Sequence, residues 1–342
     1  MSPFVGLDHH FIRQARPGRT TRPRALCRAL VGAALAVMTT VAAGQAYPTK
    51  SIRLIVPFPA GAGDQVARLV SARLSNAIGQ TVVVENMPGA SGVIGTVAAI
   101  RSPADGYTLV TATNSMVNGP LLGLPTPFNA LTDLTPIALT ATGPSVLVTS
   151  PASPFRTIAQ FVSLAKSKPG ALSYASAGNG TLGHLYGEWF KAQAGIDVLH
   201  VPYKGGGPAL TDVIGGQVSV VFDVLSSTRA NVQGGKLRAL AITSSARSSL
   251  LPDVPTMAEA GFPDFQAAAW FAMMAPAGTP RSVIDFMNAE VNKALKHPDV
   301  VTGLANLGLN AEGGPPERFT TLFNTETRRW GKVIKDAGIK AE

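Results

Sequence analysis

Apolar Ile52, Leu54, Ile55 and Val56 form a β-type run that stops at Pro57, and a helical pattern begins at Asp64. Val66, Leu69, Val70, Leu74 and Ile78 then fall near i, i+3, i+4 and i+8, which puts them on one helix face closed by Gly79. A β-branched run follows at 81–85, then the glycine-rich stretch NMPGASGVIG at 86–95 and a helix near 95–101. The turn ADGYTL leads into a strand at 108–112. Strand, helix, strand, helix, strand at this spacing predicts a parallel sheet flanked by helices. Two further strands are expected at 134–141 and 145–149.

The alternation then restarts. Thr157, with Gln160 three residues on, makes a capping box for a helix over 157–168. A strand at 172–175 runs into Ser176, Ala177, Gly178, Asn179, Gly180 and Thr181, and a helix through His184, Leu185, Trp189 and Phe190 follows. Strands at 198–201, 218–222 and 237–242 alternate with helices at 208–214 and 226–233. The proline-rich stretch 251–265 reads as a crossover. A strand at 270–275, a helix over 280–296 capped by Thr279, and a helix over 316–335 carry the chain back to the first unit. The fold class is therefore α/β. One unit comprises residues 47–148 and 270–342 and the other residues 149–269, with no long linker between them.

The N-terminus departs from this pattern. Six arginines from Arg13 to Arg28 precede an apolar run at 29–38, and small residues Gly44 and Ala46 follow, the order of an export signal cleaved near Ala46. The run is too short for a comfortable transmembrane helix. Residues 1–46 hold six of the 29 Lys+Arg and one of the 20 Asp+Glu, which leaves 23 basic against 19 acidic residues, a net of +4 instead of +9. With no Lys/Arg run and few aromatics in the mature part, no nucleic-acid partner is expected. Cys27, the single cysteine, leaves with the leader, which excludes disulfides, thiolate metal sites and a thiol nucleophile from the mature chain.

Between Pro57 and Asp64 the backbone must turn from strand to helix, and a glycine-rich loop at a helix start exposes N–H groups suited to a carboxylate or phosphate. By itself the loop reads more readily as a ligand-free connection, since short glycine motifs recur by chance. It has no lysine for a P-loop and no glycine at Val66 for a dinucleotide fingerprint. Thr113, Asn114 and Ser115 end a strand, where ligands of open α/β sheets collect, although turn chemistry accounts for them too. Ser176–Thr181 repeats the strand, loop and helix arrangement. Asp223 ends a strand and is placed either to accept a hydrogen bond from a ligand or to cap the next helix. His184, His200 and His297 lie far apart along the chain without metal-ligand spacing, and His200, on an apolar strand, reads as a core residue. No base, nucleophile and electrophile converge. An exported enzyme using His184 and Asp223 on an acyl or carboxylate substrate is the alternative reading.

Eight stretches in order carry a resemblance. They are IRLIVPFPAGAGDQVAR (52–68), VVVENMPGASGVIG (82–95), ADGYTL (104–109), YASAGNGTLGHL (174–185), HVPYKGGGPAL (200–210), GGQVSVVFD (215–223), GKLRALAIT (235–243) and LPDVPTMAEAG (251–261). The mature chain resembles the extracytoplasmic solute receptors of tripartite tricarboxylate transporters, the Bug family. The resemblance implies a two-lobed, type II-like periplasmic binding protein fold, with two β crossings and a ligand cleft between the lobes. It implies that two loops hold a ligand carboxylate through backbone N–H groups, hydroxyls and waters. Here the first loop is Phe58, Pro59, Ala60, Gly61, Ala62, Gly63 and Asp64, and the second is Ser176, Ala177, Gly178, Asn179, Gly180 and Thr181. Asn114, Ser115 and Asp223 contribute.

Two departures stand out: the first loop is one residue shorter than the family pattern, and Met87 stands where an arginine is common. The implied protein is a periplasmic, non-catalytic monomer without metal or cofactor. Its ligand is a di- or tricarboxylate, an aromatic acid or a related amide, for uptake or sensing. Its partners are that small molecule and the integral membrane subunits of the transporter.

Overall fold

The computed structural model of the protein describes residues 47–339, so the expected leader over 1–46 lies outside the described residues. Strand β1 (Ile52–Val56) pairs in parallel with β2 (Val82–Asn86) and β3 (Thr108–Thr113), and Leu54 lies opposite both Val84 and Leu109. A parallel strand covered on both faces needs a near-continuous apolar run, which IRLIV supplies. Helix α1 (Ala62–Ile78) buries Val66, Val70 and Leu74 and closes at Gly79 in the left-handed conformation, φ 67°. A 3-10 turn (Ala90–Gly92) and α2 (Val93–Ile100) join β2 to β3. Two short helices that the hydrophobic pattern does not predict, α3 (Ser115–Leu121) and α4 (Ala130–Asp133), follow.

The two strands expected at 134–141 and 145–149 are one 16-residue strand, β4 (Leu134–Thr149). Gly143 and Pro144 read as a break because proline has no N–H for a ladder. They sit instead where pairing changes hands. Up to Pro144 the strand pairs with β9 (Ala268–Pro276), and from Ser145 it pairs with β7 (Val220–Val224) and β8 (Arg238–Ile242), all antiparallel. Gly143 is needed for close approach: a Cβ there would lie 2.3 Å from Leu309 Cδ2.

In the second half β5 (Ser173–Ser176) lies in parallel between β6 (Leu199–Pro202) and β7. Helices α5 (Ile158–Ser167), α6 (Leu182–Ala194), α7 (Gly206–Ile214) and α8 (Leu225–Gln233) flank it. The capping box forms: Thr157 Oγ1 accepts from Gln160 N–H at 3.2 Å. The return bond from Gln160 reaches the N–H of Arg156, one residue before the cap, at 2.7 Å.

Strand β9 sits between β3 and β4, so the chain returns to the first sheet through its middle. Helix α9 (Arg281–Lys296) starts after Pro280 without a side-chain cap, because the Thr279 hydroxyl donates to Pro276 O at 2.7 Å. Helix α10 (Pro298–Asn306), strand β10 (Asn310–Ala311) and α11 (Pro316–Asp336) complete the chain, and the hydrophobic pattern predicts only the last of these three. The overall strand order is β2-β1-β3-β9-β4-β7-β5-β6, with β8 and β10 also on β4. One apolar core runs from Ile55 and Val110 through Leu147 to Tyr186, Phe222, Phe265 and Trp330, so both halves share it. Among the described residues no helix is long and apolar enough to cross a membrane.

Candidate ligand cleft

A cavity of about 380 Å³ opens at the carboxyl ends of β1, β3, β5 and β7. Five helices begin at its wall: α1, α3, α6, α7 and α8, with N-caps Gly61, Asn114, Thr181, Gly205 and Val224. None of these caps gives its helix a side-chain hydrogen bond, which is also true of α2, α9 and α11, while α4, α5 and α10 are capped by Asn129, Thr157 and His297. In α1 the first internal bond runs from Gln65 N–H to Gly61 O, so the N–H groups of Ala62, Gly63 and Asp64 have no acceptor within the helix. Partial positive charge thus gathers at the cavity from the main chain.

Of the expected first loop, Phe58 through Gly63 line the cavity and Asp64 does not. The Asp64 carboxylate turns back to Arg68 Nε, at 3.0 and 2.9 Å. Arg68 continues to Asn86 Oδ1 at 2.9 Å, and Asn86 Nδ2 donates to Phe58 O at 2.9 Å. This polar chain ties both ends of the loop. Gly63 packs without crowding, 3.6 Å from the Phe271 ring if given a Cβ. Met87 Sδ accepts from Arg53 Nη2 at 3.2 Å.

Asn114 and Ser115 also line the cavity, but the Asn114 amide is engaged elsewhere. Its Oδ1 accepts from Trp270 N–H at 3.0 Å and its Nδ2 donates to Ala268 O at 3.3 Å, which extends the β3–β9 pairing. Ser115 Oγ lies 2.9 Å from Thr113 Oγ1.

The second loop divides. Ala177 and Thr181 face the cavity, while Asn179 and Gly180 line a neighbouring one of about 240 Å³ that shares Ser115 with it. Ser176 and Gly178 line neither. The buried Ser176 Oγ accepts from Gly178 N–H at 3.1 Å. Across the cleft the halves touch: a Cβ on Gly205 would lie 2.4 Å from Pro59 Cγ, and one on Gly180 2.6 Å from Leu124 Cδ1.

Asp223 is the one ionisable side chain on the cavity wall among the described residues, and no Lys, Arg or His joins it. Its Oδ1 accepts from the adjacent Val224 N–H at 2.7 Å, so it does not cap α8 in the ordinary way. Oδ2 is buried and has no partner. Burial pushes this carboxyl up to about 6, against the smaller opposing effect of the Val224 hydrogen bond.

The histidines far apart in sequence do meet: His184 and His200 stack with ring centroids 4.3 Å apart. His184 is fully buried and its Nδ1 accepts from Gly180 N–H, so it presents no base to the cavity. His200, expected as a core residue, is only half-buried, and its Nε2 lies 2.7 Å from Ser176 Oγ. No group of three His, Cys, Asp or Glu able to hold a metal occurs among the described residues. The hydrophobic pattern does not mark Gly206, Gly207, Ser227 and Phe271 as cavity residues, yet they line it. The run GGG before Pro208 is the available signal for the first two, being the same glycine-before-helix pattern as the first loop.

A two-halved α/β sheet with its cavity between the halves and helix N-termini around it defines a periplasmic-type solute-binding protein. The chain belongs to the family described as the tripartite tricarboxylate transporter family receptor, whose profile matches residues 66–339. Among curated relatives, "Protein BugT" of Bordetella pertussis is 39% identical over 297 residues, 86% of this chain and 91% of BugT. A Pseudomonas sp. protein from the tcbD-tcbE intergenic region is 43% identical over 319 residues, 92% of this chain and 95% of its own.

Among solved structures, Rpa4515 of R. palustris with adipate aligns at TM-score 0.83 and 35% identity, covering 86% of this chain and 99% of its own. MatC from Rhodopseudomonas palustris with bound malate aligns at 0.81 and 32%, covering 84% and 100%. The periplasmic binding protein BugD aligns at 0.80 and 31%, covering 86% and 100%. BugD is thus a periplasmic binding protein, and the other two hold a small organic acid. His184 does not line the cavity, so the alternative reading that pairs it there with Asp223 lacks its base.

Proposed function

We propose that this chain is exported, loses residues 1–46, and works in the periplasm as a receptor that closes around a small organic carboxylate. It then delivers the ligand to the integral membrane subunits of a tripartite tricarboxylate-type transporter. One observation carries the reading: five helix N-termini converge on the cavity, and no cationic side chain lines it. A carboxylate there exchanges its hydration for backbone N–H donors, at charge-assisted strength, in a low-dielectric cleft. The adipate and malate held by two relatives fit the same class.

The jaws of this receptor are residues 47–148 with 270–342, and residues 149–269. The ligand contacts are Phe58 to Gly63, Ser115, Ala177 and Thr181, with Gly206 and Gly207 added from the cavity wall. Asp64, Ser176 and Gly178 hold their loops in shape, and Asn114 holds the strand end. With Asp223 on the wall, the ligand group beside it brings its own hydrogen, such as a hydroxyl, ammonium, amide N–H or protonated carboxyl, since a bare carboxylate there would meet like charge.

A thermal-shift panel of organic acids on the mature protein, with product analysis, tests the proposal. At least one acid is expected to raise the melting temperature with concentration, as mass action requires, and to remain unchanged chemically. No stabilisation by any acid, or turnover at substoichiometric protein, contradicts it.

A further inference from the structure

Behind the second loop, on the side away from the cavity, three rings form a continuous stack. Tyr174 and His200 lie 4.8 Å apart with planes 17° from parallel, and His200 and His184 lie 4.3 Å apart at 13°. The fold sets this stack. Tyr174 and His200 are register partners in the parallel β5–β6 pair, and His184 arrives from the first turn of α6.

Each imidazole holds one end of the loop between β5 and α6. His200 Nε2 lies 2.7 Å from Ser176 Oγ, the atom that accepts from Gly178 N–H. At the other end Gly180 N–H donates to His184 Nδ1 at 3.1 Å, which requires Nδ1 to be unprotonated and places the proton on Nε2. The loop needs such holding, because Gly178 and Gly180 sit at φ 129° and 75°, conformations that other residues rarely take and that glycine leaves freely.

The surroundings keep both rings neutral. Burial is the main cause at His200, whose basicity drops to about 3, with His184 and Lys191 adding to it. Burial also lowers His184, against the opposing pull of Glu188. The charges facing the stack neutralise each other: Lys191 Nζ lies 2.8 Å from Glu188 Oε1, which also accepts from Tyr174 OH at 2.6 Å.

We propose that His184 and His200 are positioning residues of the ligand site, fixing the loop from Ser176 to Thr181 so that Ala177 and Thr181 face the cavity. They touch no ligand and act through Gly180 and Ser176. The inference rests on the carboxylate reading for its functional meaning, but its test needs no ligand, so the two fail separately.

The test is amide hydrogen exchange of the full mature protein, with His184→Phe and His200→Phe set against His184→Asn and His200→Gln. Phenylalanine keeps a flat ring and the stack but removes the nitrogen, whereas Asn and Gln put a polar atom near Nδ1 and Nε2 respectively. The Phe variants are expected to exchange the amides of residues 178–180 about ten-fold faster, with β5 and α6 protected as in the wild type. The Asn and Gln variants are expected to recover most of that protection.

Wild-type protection of the loop in the Phe variants, or Asn and Gln variants no better than Phe, overturns the inference. Should a Phe variant fail to fold, ring nitrogen NMR of the wild type decides. A His184 carrying its proton on Nε2 at pH 7 supports the inference, and a proton on Nδ1 overturns it.

Discussion

Asp223 concentrates the site's chemistry in one residue: a carboxyl with one oxygen on its own helix start and the other buried without a partner. Burial raises its folded pKa from 3.8 to about 6, so its contribution to stability is fully present below about pH 4 and is lost as pH rises through 6. A rise of this size corresponds to at most about 3 kcal/mol of folding stability. We expect the ligand-free protein to lose stability between about pH 4 and 6.5 relative to Asp223→Asn, and melting curves of both proteins across that range measure it. Parallel curves would show that Asp223 titrates as an ordinary carboxylate.

The position of Asp223 at a strand end is legible in the sequence, but its missing partner is not, because that depends on Gly206 packing against it from another element. Asn114 shows the same limit. Its place at the end of β3 follows from the hydrophobic pattern, whereas the engagement of its amide by Trp270 and Ala268 needs β9, 154 residues away along the chain.

At the scale of elements, local signals carry far. A strand cut off by proline, then glycines, then a helical period marks the first loop, and glycines between a strand and a helical period mark the second without a proline. The misses are non-local. Gly143–Pro144 reads as a break because the pattern does not reveal that β4 changes partners there. Asn179 and Gly180 belong with Ala177 along the chain, yet the twist of the loop sends them toward the smaller cavity. The meeting of His184 with His200 depends on the β5–β6 register, which no spacing encodes.

The uncapped helix starts give a prediction at this scale. Gly205, at φ 129°, ends the turn before α7, and a Cβ there would lie 2.4 Å from Pro59 Cγ of the facing jaw. Gly205→Ala is expected to cost roughly 1–3 kcal/mol in backbone strain and to hold the jaws apart. Calorimetric affinity should therefore fall by more than the drop in melting temperature accounts for. An affinity equal to that of the wild type would mean that Pro59 and Gly205 do not meet in the bound state.

For the whole molecule, the two halves join along a seam rich in aromatic rings. The chain has three tryptophans, and all lie in this shared core. Trp189 on α6 meets Trp330 on α11 at 5.2 Å, perpendicular to it, and stacks on Phe265 at 4.1 Å. Trp270 packs on Phe319 at 5.3 Å, and its backbone N–H holds Asn114 at the cavity. A movement of one half against the other must shift these rings. Ligand binding is expected to change intrinsic fluorescence, and Trp330→Phe to remove much of the change while sparing affinity. An unaltered signal in Trp330→Phe would place the moving seam elsewhere.

In the proposed receptor main-chain donors at helix starts, and not a cationic side chain, hold the ligand carboxylate. Calorimetric titration of the mature protein with organic acids, each beside its methyl ester, tests it most directly. At least one acid is expected to bind, and esterifying its carboxylate to weaken binding by about a hundred-fold or more, the loss of two charge-assisted hydrogen bonds. Acids and esters binding alike, or no acid binding at all, would contradict it.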